Sequence, residues 1–304
     1  MELNARISCA IVGYGYWGHI IEKYLTDSDL FILKYICTPR NTVDFRSLLQ
    51  DPDLDAIYVC TPIDTHYEIT KAALQHGKHV FCEKPLSKSF AEAQELVSLA
   101  CSRNLCLYTD YIYTVSPSVN FLKNHISLLG NISCIHGEIL QFGNFYKNDS
   151  AQEVLGVHLM AAVLYLLDTL EMPQILDYYT IHKFNGRSEA SAILLKISSV
   201  PRINILCSLV STLRSRKLTI DGDNGTLVFN ALGEYTAEMI LLNKQNESYA
   251  IQSKKQVSFD EKNNLRFAVA DFYKQIQSHS CGNISLSLAV TRIIDELRKY
   301  VHKE

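Results

Sequence analysis

The chain has 304 residues, of which 47% are hydrophobic and 20% charged, and a formal net charge of −3. That length and apolar content suit two hydrophobic cores. The near-balanced charge leaves no basic stripe or acidic tail that would point to nucleic acid, an anionic membrane surface or a disordered arm, so a small metabolite is the expected partner. Nine cysteines, an odd number lying mostly in apolar runs without a CxxC pair, read as reduced thiols and a cytoplasmic location. The amino-terminal residues pass directly into an apolar strand with no signal-peptide pattern, and no apolar run is long enough to span a membrane. His76 and His79 flank a predicted helix end and strand start with no third ligand nearby, so no metal centre is expected.

In chain order, "RISCAIVGYG" reads as a buried strand and "GHIIEKYLTDSD" as a helix. "FILKYICT" is a second strand, "FRSLLQ" a short helix and "LDAIYVCTP" a third strand. "THYEITKAALQHG" is a helix closed by Gly77, "KHVFCEKP" a fourth strand, "SFAEAQELVSLACSRN" an amphipathic helix and "LCLYTDYIYT" a fifth strand. Strands apolar on both faces and alternating with helices predict a parallel, doubly wound sheet, whose ligands bind beyond the carboxyl ends of the strands. Three such ends draw attention: Gly13 to Gly18, Thr61 to Pro62, and Glu83 to Pro85.

"GYGYWG" sets Gly13, Gly15 and Gly18 in a GxGxxG between a strand and a helix, with Tyr16 and Trp17 inside it. The first glycine permits a tight turn, the second admits a pyrophosphate to the backbone, and the third lets helix and strand pack closely. Dinucleotide binding is therefore expected. An acid at the end of the second strand would select NAD by accepting from the ribose hydroxyls. Here Thr38 stands in that place and Arg40 follows, which favours NADP(H) over NAD(H).

Beyond "SPSVNFLKNHIS", a predicted helix, the pattern changes to "SCIHGEILQFG" as a strand and "AQEVLGVHLMAAVLYLLDTL" as a helix. Four strand-like runs follow, "QILDYYTIHKF", "SEASAILLKISSV", "PRINILCSLVSTL" and "RKLTIDGDNGTLVFNA", the last holding the turn signal "DGDNG". Consecutive strands without intervening helices predict a C-terminal α+β domain on a largely antiparallel open sheet. Two helices close the chain. The expected domains are 1–118 and 119–304, with the last helices packing back on the first. His158, in a helix apolar on nearly every side, reads either as a core histidine or as a proton carrier.

The segments "IVGYGYWG", "LDAIYVCTPIDTHYEITKAALQHGKHVFCEKPLS" and "LGVHLMAAVLYLLD", in this order, resemble the glucose-fructose oxidoreductase, inositol dehydrogenase and rhizopine-catabolism family (Gfo/Idh/MocA) along essentially the whole chain. The resemblance implies an N-terminal Rossmann domain and a C-terminal sheet that mediates homodimer or homotetramer formation. It implies hydride transfer between a nicotinamide cofactor and a carbinol or keto carbon of a sugar, sugar nucleotide or cyclitol. It places Lys84 beside the nicotinamide and the reacting oxygen, with the Lys84–Pro85 bond cis. Gly13, Gly15 and Gly18 then hold the pyrophosphate, Thr61, Pro62 and His66 line the cofactor side, and Glu83 supports the nicotinamide region.

Two departures stand out. Val154 and Ala161 occupy positions where family dehydrogenases carry acids, and Asp110 and Tyr111 fall where many relatives have Gly and His. On this reading His158 exchanges a proton with the substrate oxygen, and Lys84 stabilises alkoxide charge and lowers the histidine's proton affinity. Tyr111, Tyr113 and Tyr146 are candidate sugar-lining residues, although many of the 17 tyrosines are ordinary packing residues. Two other readings are a cofactor-binding sensor without turnover, and a reductase of a pigment or imine.

Overall fold

The computed structural model describes residues 6–39, 43–143, 145–146, 148–184, 187–245 and 248–301. The chain divides into two compact units, one formed by residues 1–112 and 265–292 and the other by 113–264 and 293–304.

The first unit is built on a five-stranded parallel sheet of order β2-β1-β3-β4-β5. Its strands are β1 (Ile7–Val12), β2 (Phe31–Cys37), β3 (Ala56–Val59), β4 (His79–Cys82) and β5 (Leu107–Thr109). The connecting helices are α1 (Tyr16–Thr26), α2 (Phe45–Leu49), α3 (His66–Gln75) and α4 (Phe90–Ser102). Every residue of β1 and β3 is buried, as a strand covered on both faces requires.

Alternation along the strands divides the core in two. One face carries Tyr58, Phe81 and Tyr108, whose rings stand side by side at 4.9 and 5.4 Å, and packs on Phe272. Phe272 belongs to α7 (Asn264–Gln277), a helix that returns to this unit from far along the chain. The other face carries Ala10, Val12, Ile57, Val59, Val80, Cys82 and Leu107 beneath the apolar sides of α3 and α4. A capping box fixes the start of α4: Ser89 Oγ accepts from Glu92 N–H at 3.2 Å, and Glu92 Oε2 accepts from Ser89 N–H at 3.2 Å.

The second unit has an eight-stranded sheet of order β13-β12-β11-β10-β6-β9-β8-β7, antiparallel throughout except for the parallel pair β6 and β9. The strands are β6 (Ile132–Phe142), β7 (Gln174–Phe184), β8 (Arg187–Ile197), β9 (Val200–Ser208), β10 (Val210–Gly222), β11 (Gly225–Asn230), β12 (Ala237–Gln245) and β13 (Ser248–Val257). The "DGDNG" signal forms the β10–β11 hairpin, where Gly222 pairs with Gly225 across a two-residue turn. Strands β12 and β13 have no counterpart in the sequence reading, because β13 is exposed at almost every residue and lacks the alternation that marks a half-buried strand.

Helix α5 (Pro117–His125) is capped by Ser116, whose Oγ accepts from Val119 N–H at 3.1 Å. The helix predicted over 151–170 begins instead with a π-helical turn, Gln152–Gly156, and only then becomes α6 (Val157–Leu166). Helix α8 (Ile284–Val301) contributes its first nine residues to the first unit and the remainder to the second. No helix among the described residues is long and apolar enough to cross a membrane.

Candidate functional site

The last fully paired row of the parallel sheet is Cys37, Val12, Val59, Cys82 and Thr109. Backbone bonds continue one step beyond it. Gly13 N–H donates to Cys37 O at 3.0 Å, Cys60 N–H to Val12 O at 2.8 Å, Glu83 N–H to Val59 O at 3.0 Å, and Asp110 N–H to Cys82 O at 2.9 Å. Thr38, Gly13, Cys60, Glu83 and Asp110 therefore form a row across the carboxyl ends of all five strands. In an open α/β sheet that edge, at the point where strand order reverses between β1 and β3, is where ligands bind.

The glycine turn sits at this switch point. Gly13 has φ +94°, and a Cβ there would lie 2.6 Å from Thr61 Cγ2 and 2.7 Å from the Cys60 carbonyl, so only glycine fits. A Cβ on Gly18 would lie 2.4 Å from Gly13 O, which is the close helix-to-strand approach the motif requires. Gly15 differs, since nothing lies within 4 Å of its would-be Cβ. It is the N-cap of α1 and makes no side-chain cap, so open space meets the uncapped amino end of an eleven-residue helix. This is the cradle a pyrophosphate fits, by backbone N–H groups and the helix dipole. Tyr16 and Trp17 are exposed beside it, with ring centroids 5.2 Å apart at an interplanar angle of 81°. Thr38 is half-buried at the end of β2, and Arg40 lies outside the described residues.

At the end of β4, Glu83 and Lys84 are 6% and 9% exposed, and the Lys84–Pro85 peptide is cis. Burial pushes the Glu83 carboxyl up to about 7, against the opposing pull of the Lys84 ammonium and of the Lys84 N–H it accepts. Asp110, 3% exposed, is pushed well up by burial and then by Glu83, with Lys84 again opposing. His66 is buried, with Nδ1 2.8 Å from Pro85 O and Nε2 2.9 Å from Thr61 O. It ties the exit of β3 to the Glu83–Pro85 segment, and burial pushes its proton affinity down. Thr61 is half-buried and Pro62 exposed at the same exit.

Tyr111 is buried in the first unit, its hydroxyl beside Ser287 and Thr291 of α8. Tyr113, also buried, belongs to the second unit. There its ring lies 5.6 Å from that of His158 and 5.1 Å from that of Phe229, and Arg216 reaches its hydroxyl. Tyr146 is half-buried. His158 is half-buried in the first turn of α6, two residues past the π-helical turn. Glu153 holds that turn, accepting from Ser150 N–H at 2.8 Å and from Arg298 Nε at 2.7 Å. Sequence reading missed both this ion pair between a buried carboxylate and a half-buried arginine and the companionship of Asp110 with Glu83. The available signal for Asp110 was its place one residue past a buried parallel strand, on the ligand edge. His76 and His79 serve the backbone, through contacts with Ala72 O at 2.8 Å and Cys106 N–H at 3.0 Å.

A doubly wound parallel sheet with a glycine turn at its switch point defines a dinucleotide-binding domain of the Rossmann class. Residues 7–111 match the Gfo/Idh/MocA oxidoreductase family, which has an NAD-binding Rossmann fold. Levoglucosan dehydrogenase of Pseudarthrobacter phenanthrenivorans is 33% identical over 104 residues, which cover 34% of this chain and 27% of that protein. Biliverdin reductase A of Mus musculus is 33% identical over 137 residues, 41% of this chain and 46% of the relative. These matched stretches thus span roughly a quarter to a half of the relatives' length. The fold extends further. KijD10, a 3-ketoreductase from Actinomadura kijaniata solved with TDP-benzene and NADP, superposes with a TM-score of 0.81 over 97% of each chain at 17% identity.

Proposed function

We propose that the protein is an NAD(P)-dependent oxidoreductase acting on the carbinol or keto carbon of a sugar, sugar nucleotide or cyclitol. One observation carries this reading: Lys84 lies nine-tenths buried at the carboxyl end of a central strand, directly after the row that contains the glycine turn. A lysine brought into that setting suits the stabilisation of charge developing on a substrate oxygen.

A bound nicotinamide dinucleotide supplies or accepts the hydride. Gly13, Gly15 and Gly18 hold its pyrophosphate, with Tyr16 and Trp17 alongside, and the exits of β2 and β3 at Thr38, Thr61 and Pro62 border it. Glu83 and Pro85 fix the main chain on either side of Lys84, and His66 pins Thr61 to Pro85. Lys84 donates to the reacting oxygen, and His158 exchanges the proton, a role for which imidazole is a common proton carrier in either direction. Tyr111, Tyr113 and Tyr146 are the candidate substrate contacts. NADP(H) is favoured because Thr38 replaces an acid and Arg40 follows it. We place the protein in the cytoplasm. The outward Leu176, Tyr179, Ile181 and Phe184 of β7 support self-association through the second sheet as a homodimer or homotetramer.

The 137-residue match to a biliverdin reductase favours a second reading, reduction of a pigment, in which the same Lys84 serves a different acceptor. Incubation with NADPH or NADH and a panel of keto-sugars, nucleotide-linked keto-sugars, inososes and biliverdin separates the two. Turnover on a sugar that falls by about 10²-fold or more in Lys84→Ala and in His158→Asn supports the first. Turnover on biliverdin alone selects the second. Dinucleotide binding without turnover on any acceptor identifies a sensor, and unchanged turnover in both variants refutes the residue roles.

A further inference from the structure

We propose that Asp110 is a further functional residue of this site: standing beside Glu83 on the ligand edge of the sheet, it forms with Glu83 and Lys84 a proton-holding group that sets the charge Lys84 presents. The inference rests on the reading of Lys84 given above. Asp110 acts through Lys84 and is in that sense a positioning residue.

The geometry follows from register. Tyr58, Phe81 and Tyr108 stand side by side on one face of adjacent strands, with ring centroids 4.9 and 5.4 Å apart. Two residues further along each strand, on the same face, come Cys60, Glu83 and Asp110. The backbone bonds from Glu83 N–H to Val59 O and from Asp110 N–H to Cys82 O show that the regular ladder persists to this point. Parallel neighbours lie about 4.8 Å apart, so two carboxyl groups are held next to one another in the interior. Oε1 of Glu83 and Oδ1 of Asp110 are both buried without a hydrogen-bond partner among the described residues. Two ionised carboxylates so placed repel one another with little solvent to screen them, whereas a pair holding one proton does not.

Lys84, after β4, is the charge that acts on both carboxyls; Cys60 after β3 and Tyr108 within β5 feel them in turn, while His66 of α3 feels Lys84 and Asp271 of α7 faces Tyr108. Cys82, directly before Glu83, is also within its influence. Burial raises the thiols of Cys60 and Cys82 and the Tyr108 phenol, which keeps all three neutral. The remaining balance is one ammonium against two carboxyls. With one shared proton the group is neutral overall and Lys84 faces a single counter-charge. Without it the group is net negative and opposes negative charge developing on a substrate oxygen.

The test is carboxyl carbon NMR titration of the whole, ligand-free protein, as wild type, Asp110→Asn and Glu83→Gln. We expect one carboxyl in the wild type to titrate near neutral pH, and Glu83→Gln to lower the Asp110 midpoint by about one pH unit or more. Two carboxyls that both titrate below about pH 5, the ordinary range, would overturn the proposal. So would an Asp110 midpoint unaffected by Glu83→Gln. Should a variant not fold, the wild-type titration alone decides. Nicotinamide fluorescence on adding NADPH or NADH is read in parallel. Absence of dinucleotide binding defeats the functional reading and leaves the carboxyl result standing, whereas binding with independently titrating carboxyls defeats this inference alone.

Discussion

The N–H of Asp110 donates to the carbonyl of Cys82 at 2.9 Å, one step past the last paired residues of β4 and β5. That bond carries the strand register beyond the sheet proper, and it is why Asp110 stands next to Glu83 instead of turning away with the chain. The backbone of the preceding residue is held equally firmly. Thr109 N–H donates to Asn283 Oδ1 at 2.8 Å, and Asn283 Nδ2 donates to Thr109 O at 2.7 Å. Asn283→Ala removes both bonds and is expected to cost about 1–3 kcal/mol. Faster amide exchange at Thr109 and Asp110 than in wild type is the measurement that checks it.

The glycine turn yields a contrast between two substitutions. Gly15→Ala meets no atom within 4 Å and should lower stability only by the cost of alanine at an N-cap, about 1 kcal/mol or less, while weakening dinucleotide binding by about tenfold or more, because the methyl group occupies the pyrophosphate's approach. Gly18→Ala drives a methyl group into Gly13 O and should destabilise the fold by about 1–3 kcal/mol. Equal melting temperatures for the two variants would contradict this assignment.

Stability should depend on pH through Glu83. Its carboxyl binds a proton more tightly folded, at about 7, than its ordinary value of 4.5, so folding takes up a proton between these values. The associated stability is fully present below pH 4.5 and is lost as pH rises through about 7. Asp110, raised in the same direction, adds to the same trend. In denaturant titrations from pH 5 to pH 8, Glu83→Gln should lose less stability than wild type, by an amount on the order of 1–3 kcal/mol. Parallel pH curves for the two proteins would count against the buried state of this carboxyl.

Glu153 is 5% exposed and is neutralised by Arg298 at the π-helical turn that precedes His158. Arg298→Met strands the carboxylate and should cost about 3–5 kcal/mol, as loss of one partner of a buried pair does. Replacing both, with Glu153→Gln added, should recover part of that loss. Chemical denaturation of the single and double variants measures the difference.

Ser89→Ala removes one half of the capping box on α4 and should lower stability by about 1 kcal/mol. Chemical denaturation of the variant beside wild type measures the loss.

Much of the first unit was legible in the residues themselves. Strands apolar on both faces, the spacing of Gly13, Gly15 and Gly18, and a helix closed by Gly77 are local signals, because burial, turn geometry and capping act over a few residues. The C-terminal sheet was legible only where its strands bury one face. The exposed β13 left no pattern to read, and the π-helical turn at Gln152–Gly156 looks like ordinary helix until Glu153 is seen to meet Ser150 and Arg298. Sequence alone determined that a lysine and a glutamate end a buried strand, since that depends on neighbours along the chain. Only the tertiary structure decided that Asp110, 27 residues past Glu83, lies beside it. Strand order and register are set by packing between distant segments, and the protonation of a buried carboxyl is set by whatever charge that packing brings alongside.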